Sequence, residues 1–191
     1  MAGRDKTMEI VSASIKQTQE IASKLAKYLE PGDVIALVGN LGSGKTVFLK
    51  GLAVGLGCSK KEVLSPTFVL MRRYQGKLTL NHFDLYRLKA LRQLEQIGFE
   101  EYFYSGAITV IEWADRIPDA LPQGYLRLEF KILTKNKRLL KFTPIGTSTT
   151  LSVNGERSRT IGERYANYLR DLQEKKIKLS QRYTANPKQD P

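Results

Sequence analysis

The chain is poor in cysteine, histidine and tryptophan, with one of each among its 191 residues. A single cysteine, Cys58, excludes an internal disulfide and a zinc site built from cysteines. No apolar run reaches the ~20 residues that a membrane-spanning helix needs. The N-terminal stretch MAGRDKTMEIVSAS also lacks an apolar signal core. These shortages predict a cytoplasmic protein, and the length predicts one domain plus a tail.

Acidic residues are scarce relative to basic ones, and the shortage lies mainly towards the C-terminus. Residues 1–130 carry 17 Lys and Arg against 14 Asp and Glu, a net charge of +3, whereas residues 131–191 carry 14 against 5, a net charge of +9. A basic section of this kind suits a polyanion such as RNA. It is equally typical of a solvated tail that keeps a protein soluble. The charge alone leaves both interpretations open.

A complete phosphate-binding signature is present at residues 39–46. The stretch GNLGSGKT satisfies G-x-x-x-x-G-K-[ST] and lies between a buried-strand run at 34–39 and a helix predicted from Lys45 to about Leu56, with Gly57 as its C-terminal cap. In this signature the lysine reaches the β- and γ-phosphates and the threonine hydroxyl is a magnesium ligand. The binding residues predicted from it are Gly39, Asn40, Leu41, Gly42, Ser43, Gly44, Lys45 and Thr46.

Two acidic residues are candidates for catalysis, because hydrolysis of a nucleotide needs a carboxylate near the metal and a group that positions water. Glu112 ends a buried strand predicted at 107–113, and Asp84 ends the second arm of a hairpin predicted over 68–86. We expect both to be catalytic and Glu112 to join Thr46 at the metal. The sequence leaves open which of the two acids positions water.

Three further features lie close to these candidates in the sequence. His82 is predicted to be a structural hydrogen-bonding residue, since one histidine cannot form a metal cluster. Trp113 follows the second acid and belongs either to the core or to the site. The segment LSPTF (64–68) places the hydroxyls of Ser65 and Thr67 on a stiff turn. It suits a segment that senses the γ-phosphate, or an ordinary turn.

The rest of the pattern indicates an α/β domain at 1–146 and a basic C-terminal extension at 147–191. In the extension, Tyr165, Leu169 and Leu172 form an apolar stripe that we expect to dock on the body or on a partner. The other predicted elements are a helix at 17–30, an interrupted helix at 91–103, an edge hairpin from 126–133 and 138–145, a linker at 146–156 and a final helix at about 161–179.

Five motifs together identify a family resemblance. GNLGSGKT, SPTF, HFDLYRL, LEQIGFEEYF and VIEWADRIPDALP follow one another within residues 8–145. In order and spacing they resemble the TsaE family, ATPases of bacterial tRNA threonylcarbamoyladenosine (t6A) biosynthesis. The resemblance implies a P-loop α/β fold with a mixed central sheet, with ATP and Mg²⁺ as ligands and weak hydrolysis by the protein alone. It also implies TsaB and TsaD as partners. Their complex modifies adenosine 37 of tRNA, and the ATPase resets it between turnovers.

The resemblance also assigns roles to particular residues. Glu112 resembles the family's magnesium-associated acid and Asp84 its second functional acid. The family usually has a second threonine where this chain has Val47, which leaves the role of that second hydroxyl open. Residues from about 147 onward lie beyond the usual family length. The other residues that the resemblance places at the nucleotide are Ser65, Thr67, Trp113 and Arg138.

Three alternatives share the phosphate loop. A small-molecule kinase would need an arginine-rich lid near the γ-phosphate, and the sequence offers no clear one. A nucleotide-dependent assembly switch would have binding, and not turnover, as its output. An RNA-binding protein with a regulatory nucleotide site would use the basic extension, which is also where a TsaE-like protein would contact tRNA.

Overall fold

The computed structural model of the chain describes residues 7–59, 63, 69–146, 165–168 and 170–171. Its strands are β1 (Met8–Ser12), β2 (Val34–Gly39), β3 (Met71–Tyr74), β4 (Leu80–Asp84), β5 (Ile108–Glu112), β6 (Tyr125–Ile132) and β7 (Arg138–Ile145). Its helices are α1 (Ile15–Leu25), α2 (Lys45–Gly55) and α3 (Arg92–Glu95), with 3₁₀ turns at Ala26–Tyr28, Phe99–Tyr104, Ala114–Arg116 and Pro118–Ala120. None of the helices among these described residues is long and apolar enough to cross a bilayer.

The strands form one mixed sheet in the order β1-β7-β6-β2-β5-β4-β3. The central strand β2 runs parallel to both β5 and β6, and β4 runs parallel to β5. The strands β1, β7 and β3 are antiparallel to their neighbours. The carboxyl ends of β2, β4 and β5 therefore meet at one edge of the sheet, where the phosphate loop begins.

The central strands are apolar because helices cover both faces of the sheet. Strand β5 is buried along its whole length, as are the first four residues of β2. Helices α1 and α2 cover one face, and α3 with the 3₁₀ turn Phe99–Tyr104 covers the other. On this second face the rings of Phe83 and Phe99 meet edge to face, 4.7 Å apart. The apolar clusters on the two faces of the sheet therefore fix the position of the edge at which the phosphate loop begins.

The helix predicted at 17–30 is shifted and shorter in the structure. Helix α1 begins after Ser14, whose side-chain oxygen accepts a hydrogen bond from the backbone N–H of Gln17 (3.1 Å). This N-terminal cap sets the start two residues before the predicted one. The predicted interruption of the 91–103 helix is confirmed, because Gly98 adopts a left-handed φ of +62° between α3 and the following 3₁₀ turn.

The prediction that β6 and β7 form a hairpin is confirmed, but its place at an edge of the sheet is wrong. Strand β6 pairs with β2 on its other side, and β7 pairs with β1. The register of β1 sets Ile10 opposite Leu140, which lies far away in the sequence. A five-residue strand with a distant partner leaves no local turn signal, and for this reason the sequence analysis missed β1.

The described residues of the C-terminal extension are helical and pack on the body. The side chains of Tyr165 and Tyr168 are each 1% exposed and belong to the core around α1. The hydroxyl of Tyr168 donates to the carbonyl oxygen of Ile21 (2.8 Å), and burial raises the pKa of Tyr168 well above its usual range, so that this donor stays protonated. The hydroxyl of Tyr28 donates to the Asp171 carboxylate.

The predicted apolar stripe of this extension is therefore partly reproduced. Tyr165 packs on the body as the pattern predicts, and Tyr168 does so without having been predicted. The other two members of the stripe, Leu169 and Leu172, lie outside the described residues, as does most of the predicted final helix.

Candidate functional site

The phosphate loop connects β2 to α2 and is closed on one side and open on the other. Gly39, Gly42 and Gly44 have φ values of +145°, +73° and +109°. A Cβ on Gly39 would lie 2.7 Å from the carbonyl oxygen of Phe130, so only glycine fits against β6 there. A Cβ on Gly42 or Gly44 would meet no heavy atom within 4 Å. The loop thus packs on the sheet and keeps a free concave side.

Hydrogen-bond donors are available on this loop. Helix α2 begins after Gly44 without a side-chain cap. The N–H groups of its first turn, at the positive end of the helix dipole, can therefore bind an anion. The hydroxyl of Ser43 is buried and has no hydrogen-bond partner among the described residues. A helix N-terminus preceded by an open glycine loop and an unpaired hydroxyl fits a phosphate group.

Lys45 carries the positive charge of the site and is 5% exposed. Its Nζ donates to the carbonyl oxygens of Gly39 and Asn40 (the latter at 3.1 Å) and lies 3.5 Å from the ring centroid of Trp113. Burial lowers the pKa of Lys45, and the Glu112 carboxylate is the strongest of the nearby charges that oppose this. The lysine is therefore held across the loop by weak carbonyl acceptors, which a more strongly charged ligand can replace.

The two predicted catalytic acids lie side by side at the ends of β4 and β5. Asp84 and Glu112 are register partners on parallel strands, and they are 4% and 2% exposed. The hydroxyl of Thr46 donates to Oε2 of Glu112 (3.0 Å). Oδ1 of Asp84 accepts from the backbone N–H of Tyr86 (2.9 Å). The structure thus brings the loop threonine and both acids together, as the sequence predicts.

These oxygen donors fit Mg²⁺, which prefers hard ligands and is usually held by one or two carboxylates together with substrate phosphates. Across the described ranges, no group of three or more His, Cys, Asp or Glu residues could hold a metal by itself. The donor set of Thr46, Glu112 and Asp84 therefore suits an ion that arrives with a nucleotide.

Trp113 lines the same cleft as the phosphate loop. Its backbone is left-handed (φ +60°), which is unusual for a large side chain. Its ring packs on Tyr86 with the centroids 4.9 Å apart. Both rings line a cleft of about 350 Å³ that also includes the phosphate loop and both acids. The sequence analysis did not single out Tyr86, although it follows Asp84 by two residues.

Arg138 contacts the phosphate loop through backbone atoms. Its Nε donates to the carbonyl oxygen of Ser43 (3.1 Å) and its Nη2 to that of Gly42 (3.3 Å). Its Nη1 donates to the carbonyl oxygen of Thr134 in the β6–β7 turn (2.9 Å). The guanidinium therefore connects the loop to this turn. Arg138 thus lies near the phosphate loop, where the family resemblance implies an arginine.

Of the remaining predicted residues, some are described by the structure and others are not. Leu41 is 76% exposed at the tip of the loop, and the carbonyl of Asn40 accepts from Lys45. Ser65 and Thr67 lie outside the described residues, so their predicted switch-like role stays a prediction. His82, expected to be structural, is fully buried, and its Nε2 lies within hydrogen-bond distance of Oε1 of Glu112 (3.1 Å), a polar contact of the site that was not predicted from the sequence.

Comparisons with known proteins agree on one family. The family model described as "Threonylcarbamoyl adenosine biosynthesis protein TsaE" matches residues 12–140. The chain is 40% identical over 131 residues to a tRNA threonylcarbamoyladenosine biosynthesis protein TsaE from Treponema pallidum, a match that covers 69% of this chain and 96% of that protein. It is 40% identical over 132 residues to the TsaE of Bacillus subtilis, covering 69% and 82% of the two chains.

A solved structure resembles the fold as well. The crystal structure of Bacillus subtilis YdiB aligns with a TM-score of 0.63 and 33% sequence identity, covering 76% of this chain and 90% of that one. The predicted fold class is confirmed: the chain has a P-loop α/β fold with a mixed central sheet.

Proposed function

Because this chain belongs to the TsaE family, we propose that it binds ATP with Mg²⁺ and hydrolyses it weakly on its own during t6A formation in tRNA. Its partners are TsaB and TsaD, whose complex transfers the threonylcarbamoyl group to adenosine 37. The chain resets that complex between turnovers and does not carry the transferred group. It acts in the cytoplasm, where tRNA is modified.

The observation that carries this proposal is the hydrogen bond between Thr46 and Glu112 (3.0 Å). It joins the first turn of the phosphate-loop helix to the end of β5, and Asp84 lies in register beside it. A phosphate loop that only recognised an anion would have no need of two buried carboxylates beside its threonine. Carboxylates at this position are what metal-assisted phosphoryl transfer requires.

Each group has a distinct task in this proposal. The loop N–H groups and Lys45 bind the phosphates, and Lys45 exchanges its bonds to the carbonyls of Gly39 and Asn40 for phosphate oxygens. Thr46 and Glu112 would hold Mg²⁺, which when bound neutralises charge on the β- and γ-phosphates. Asp84 would orient the attacking water.

The two parts of the chain divide these tasks. Residues 1–146 form the ATPase domain, and residues 147–191 form a basic extension available to tRNA phosphates. The excess of positive charge after residue 130 supports the second assignment. Among the described residues of this extension, Tyr165 and Tyr168 pack in the core around α1.

Calorimetry followed by reconstitution tests the function. ATP and GTP are titrated with and without Mg²⁺, and tRNA modification is then measured with TsaB, TsaD and each nucleotide state. Mg²⁺-dependent ATP binding together with ATP-dependent repeated turnover is the expected result. Phosphate transfer to a small-molecule acceptor would instead favour a kinase, and modification supported equally by a non-hydrolysable analogue would favour an assembly switch.

A further inference from the structure

His82 is a buried polar residue that contacts one of the acids of the site. Its side chain is 0% exposed, and Nε2 lies 3.1 Å from Oε1 of Glu112. Nδ1 is buried and has no hydrogen-bond partner in the part of the chain that the structure describes. The ring also packs near Tyr74, with the centroids 6.2 Å apart. A histidine kept only to satisfy the core would be expected to use both ring nitrogens.

The direction of this bond follows from the chemistry of its partner. An ionised carboxylate accepts hydrogen bonds and donates none, so Nε2 carries the proton and points it at Oε1. The other oxygen of the same carboxylate, Oε2, accepts from Thr46. Both oxygens of Glu112 are therefore engaged, one from β4 and one from α2. A carboxylate bonded on both sides cannot rotate away from the loop threonine.

The sheet places this support next to the second acid. His82 and Asp84 are two residues apart on β4, so their side chains leave the same face of the sheet. Asp84 is the register partner of Glu112, while His82 is the register partner of Val110, two pairs further from the strand end. Strand β4 thus supplies both Asp84 at the site and, further from the strand end, the His82 side chain that holds Glu112 of the neighbouring strand.

We infer that His82 is a positioning residue for Mg²⁺-dependent nucleotide binding, which it supports by fixing the Glu112 carboxylate in the orientation that faces Thr46. This inference rests on the proposed function, since it concerns the same ion. Partners that orient a ligating group typically change metal affinity by about 10–100-fold when they are removed. His82 would act through Glu112 and would not touch the nucleotide.

The test measures the Mg²⁺ concentration at which ATP binding is half restored, in the full chain, by calorimetry and by the fluorescence of Trp113. H82L removes the donor. H82Q keeps an amide N–H at about the reach of Nε2, whereas H82N places its amide nearer the position of Nδ1. H82Q and H82N both keep a polar group at this buried position. Comparing them therefore does not depend on whether H82L folds.

Asn81→Ala is the matched control. Asn81 is also fully buried on β4, and its amide donates to Ser105 (3.2 Å) on the other side of the sheet. This variant loses a part-buried hydrogen bond of the same strand without touching Glu112. It measures what a purely structural loss does to the same readout.

The expected result is a shift of the Mg²⁺ midpoint to roughly 10–100-fold higher concentration in H82L and H82N, with ATP affinity in EDTA unchanged. H82Q should return most of the way to the wild-type midpoint, and Asn81→Ala should remain at it. The inference is overturned if H82Q shifts as far as H82N, if Asn81→Ala shifts as far as the His82 variants, or if no His82 variant shifts. A wild-type protein that binds ATP without any Mg²⁺ dependence would instead overturn the proposed function.

Discussion

At the scale of single residues, Lys45 is the group on which phosphate binding depends most. It is nearly buried, and its ammonium group rests on carbonyl oxygens and on the ring of Trp113. A phosphate oxygen carries negative charge and a carbonyl oxygen does not, so a phosphate attracts the ammonium group more strongly than the carbonyls do. These carbonyl contacts therefore lie where a phosphate group can replace them as acceptors of Lys45.

Lys45→Ala should lower ATP affinity on the order of 100-fold or more, because nothing else in the loop supplies a full positive charge. Calorimetry in the presence of Mg²⁺ measures this loss. Lys50→Ala, on the same helix but outside the cleft, is the control and should bind ATP like the wild type. An unchanged affinity in Lys45→Ala would exclude the phosphate-loop interpretation.

Trp113 should report on occupancy of the site. Its ring lies 3.5 Å from Nζ of Lys45, so a nucleotide that draws the lysine away changes the charge beside the indole. Since it is the one tryptophan of the chain, the emission change on adding ATP and Mg²⁺ can be assigned to it. A flat titration, with binding shown by calorimetry, would contradict this coupling. Lys45→Ala should abolish the change.

The sequence predicted the residues of the site better than the contacts between them. Glu112 could be predicted because it ends an apolar run, and Asp84 because it ends the second arm of a predicted hairpin. The bond from His82 to Glu112 could not, since it depends on the register of β4 against β5. The same holds for Tyr86, whose role follows from its packing on Trp113.

At the scale of elements, Arg138 links the β6–β7 hairpin to the phosphate loop. One guanidinium donates to the carbonyls of Gly42 and Ser43 in the loop and to that of Thr134 in the turn. A planar guanidinium holds five N–H donors in a fixed fork, a geometry that the compact ammonium of a lysine does not reproduce. The hairpin therefore helps to hold the loop in its open, concave shape.

Arg138→Gln should weaken ATP binding by roughly tenfold, because the loop would have to be ordered by the nucleotide itself. Arg138→Lys should fail to restore it. Both are measured by calorimetry, with Lys137→Ala, the exposed neighbour in the turn, as the control. If Arg138→Gln binds ATP with wild-type affinity, the contacts with the loop carbonyls are not needed to shape the site.

Elements with local signals were predicted and those with distant partners were not. The strand–loop–helix unit at 34–55 follows from the phosphate-loop signature, and the hairpin of β3 and β4 follows from two β-prone runs around a glycine. Strand β1 was missed, and with it the true edge of the sheet, because its partner β7 is distant in the sequence. Its register is set by tertiary packing and not by a turn.

At the scale of the whole molecule, the basic extension is anchored on α1 by Tyr165 and Tyr168. Deleting the extension would therefore uncover part of the core as well as remove charge. A sharper test keeps both tyrosines and replaces Lys175, Lys176 and Lys178 by glutamine. The three lysines follow the anchored residues in the sequence.

This triple variant should bind ATP normally and bind tRNA more weakly. Each lost phosphate contact should reduce the slope of log affinity against log salt concentration by roughly 0.7–0.9. Matched salt titrations of the wild type and the variant measure both quantities. Identical affinities and slopes would mean that the extension is a solvated tail and does not bind tRNA. Charge composition alone could not separate these two interpretations.

The central claim is that the chain couples ATP hydrolysis at Glu112 and Asp84 to repeated rounds of tRNA modification. The most direct measurement counts t6A formed per TsaB–TsaD complex with wild-type protein, Glu112→Gln and Asp84→Asn, after calorimetry has shown ATP binding for each. We expect many rounds with the wild type, and hydrolysis and repeated modification reduced on the order of 100-fold or more in both variants. Wild-type turnover by both variants would contradict it.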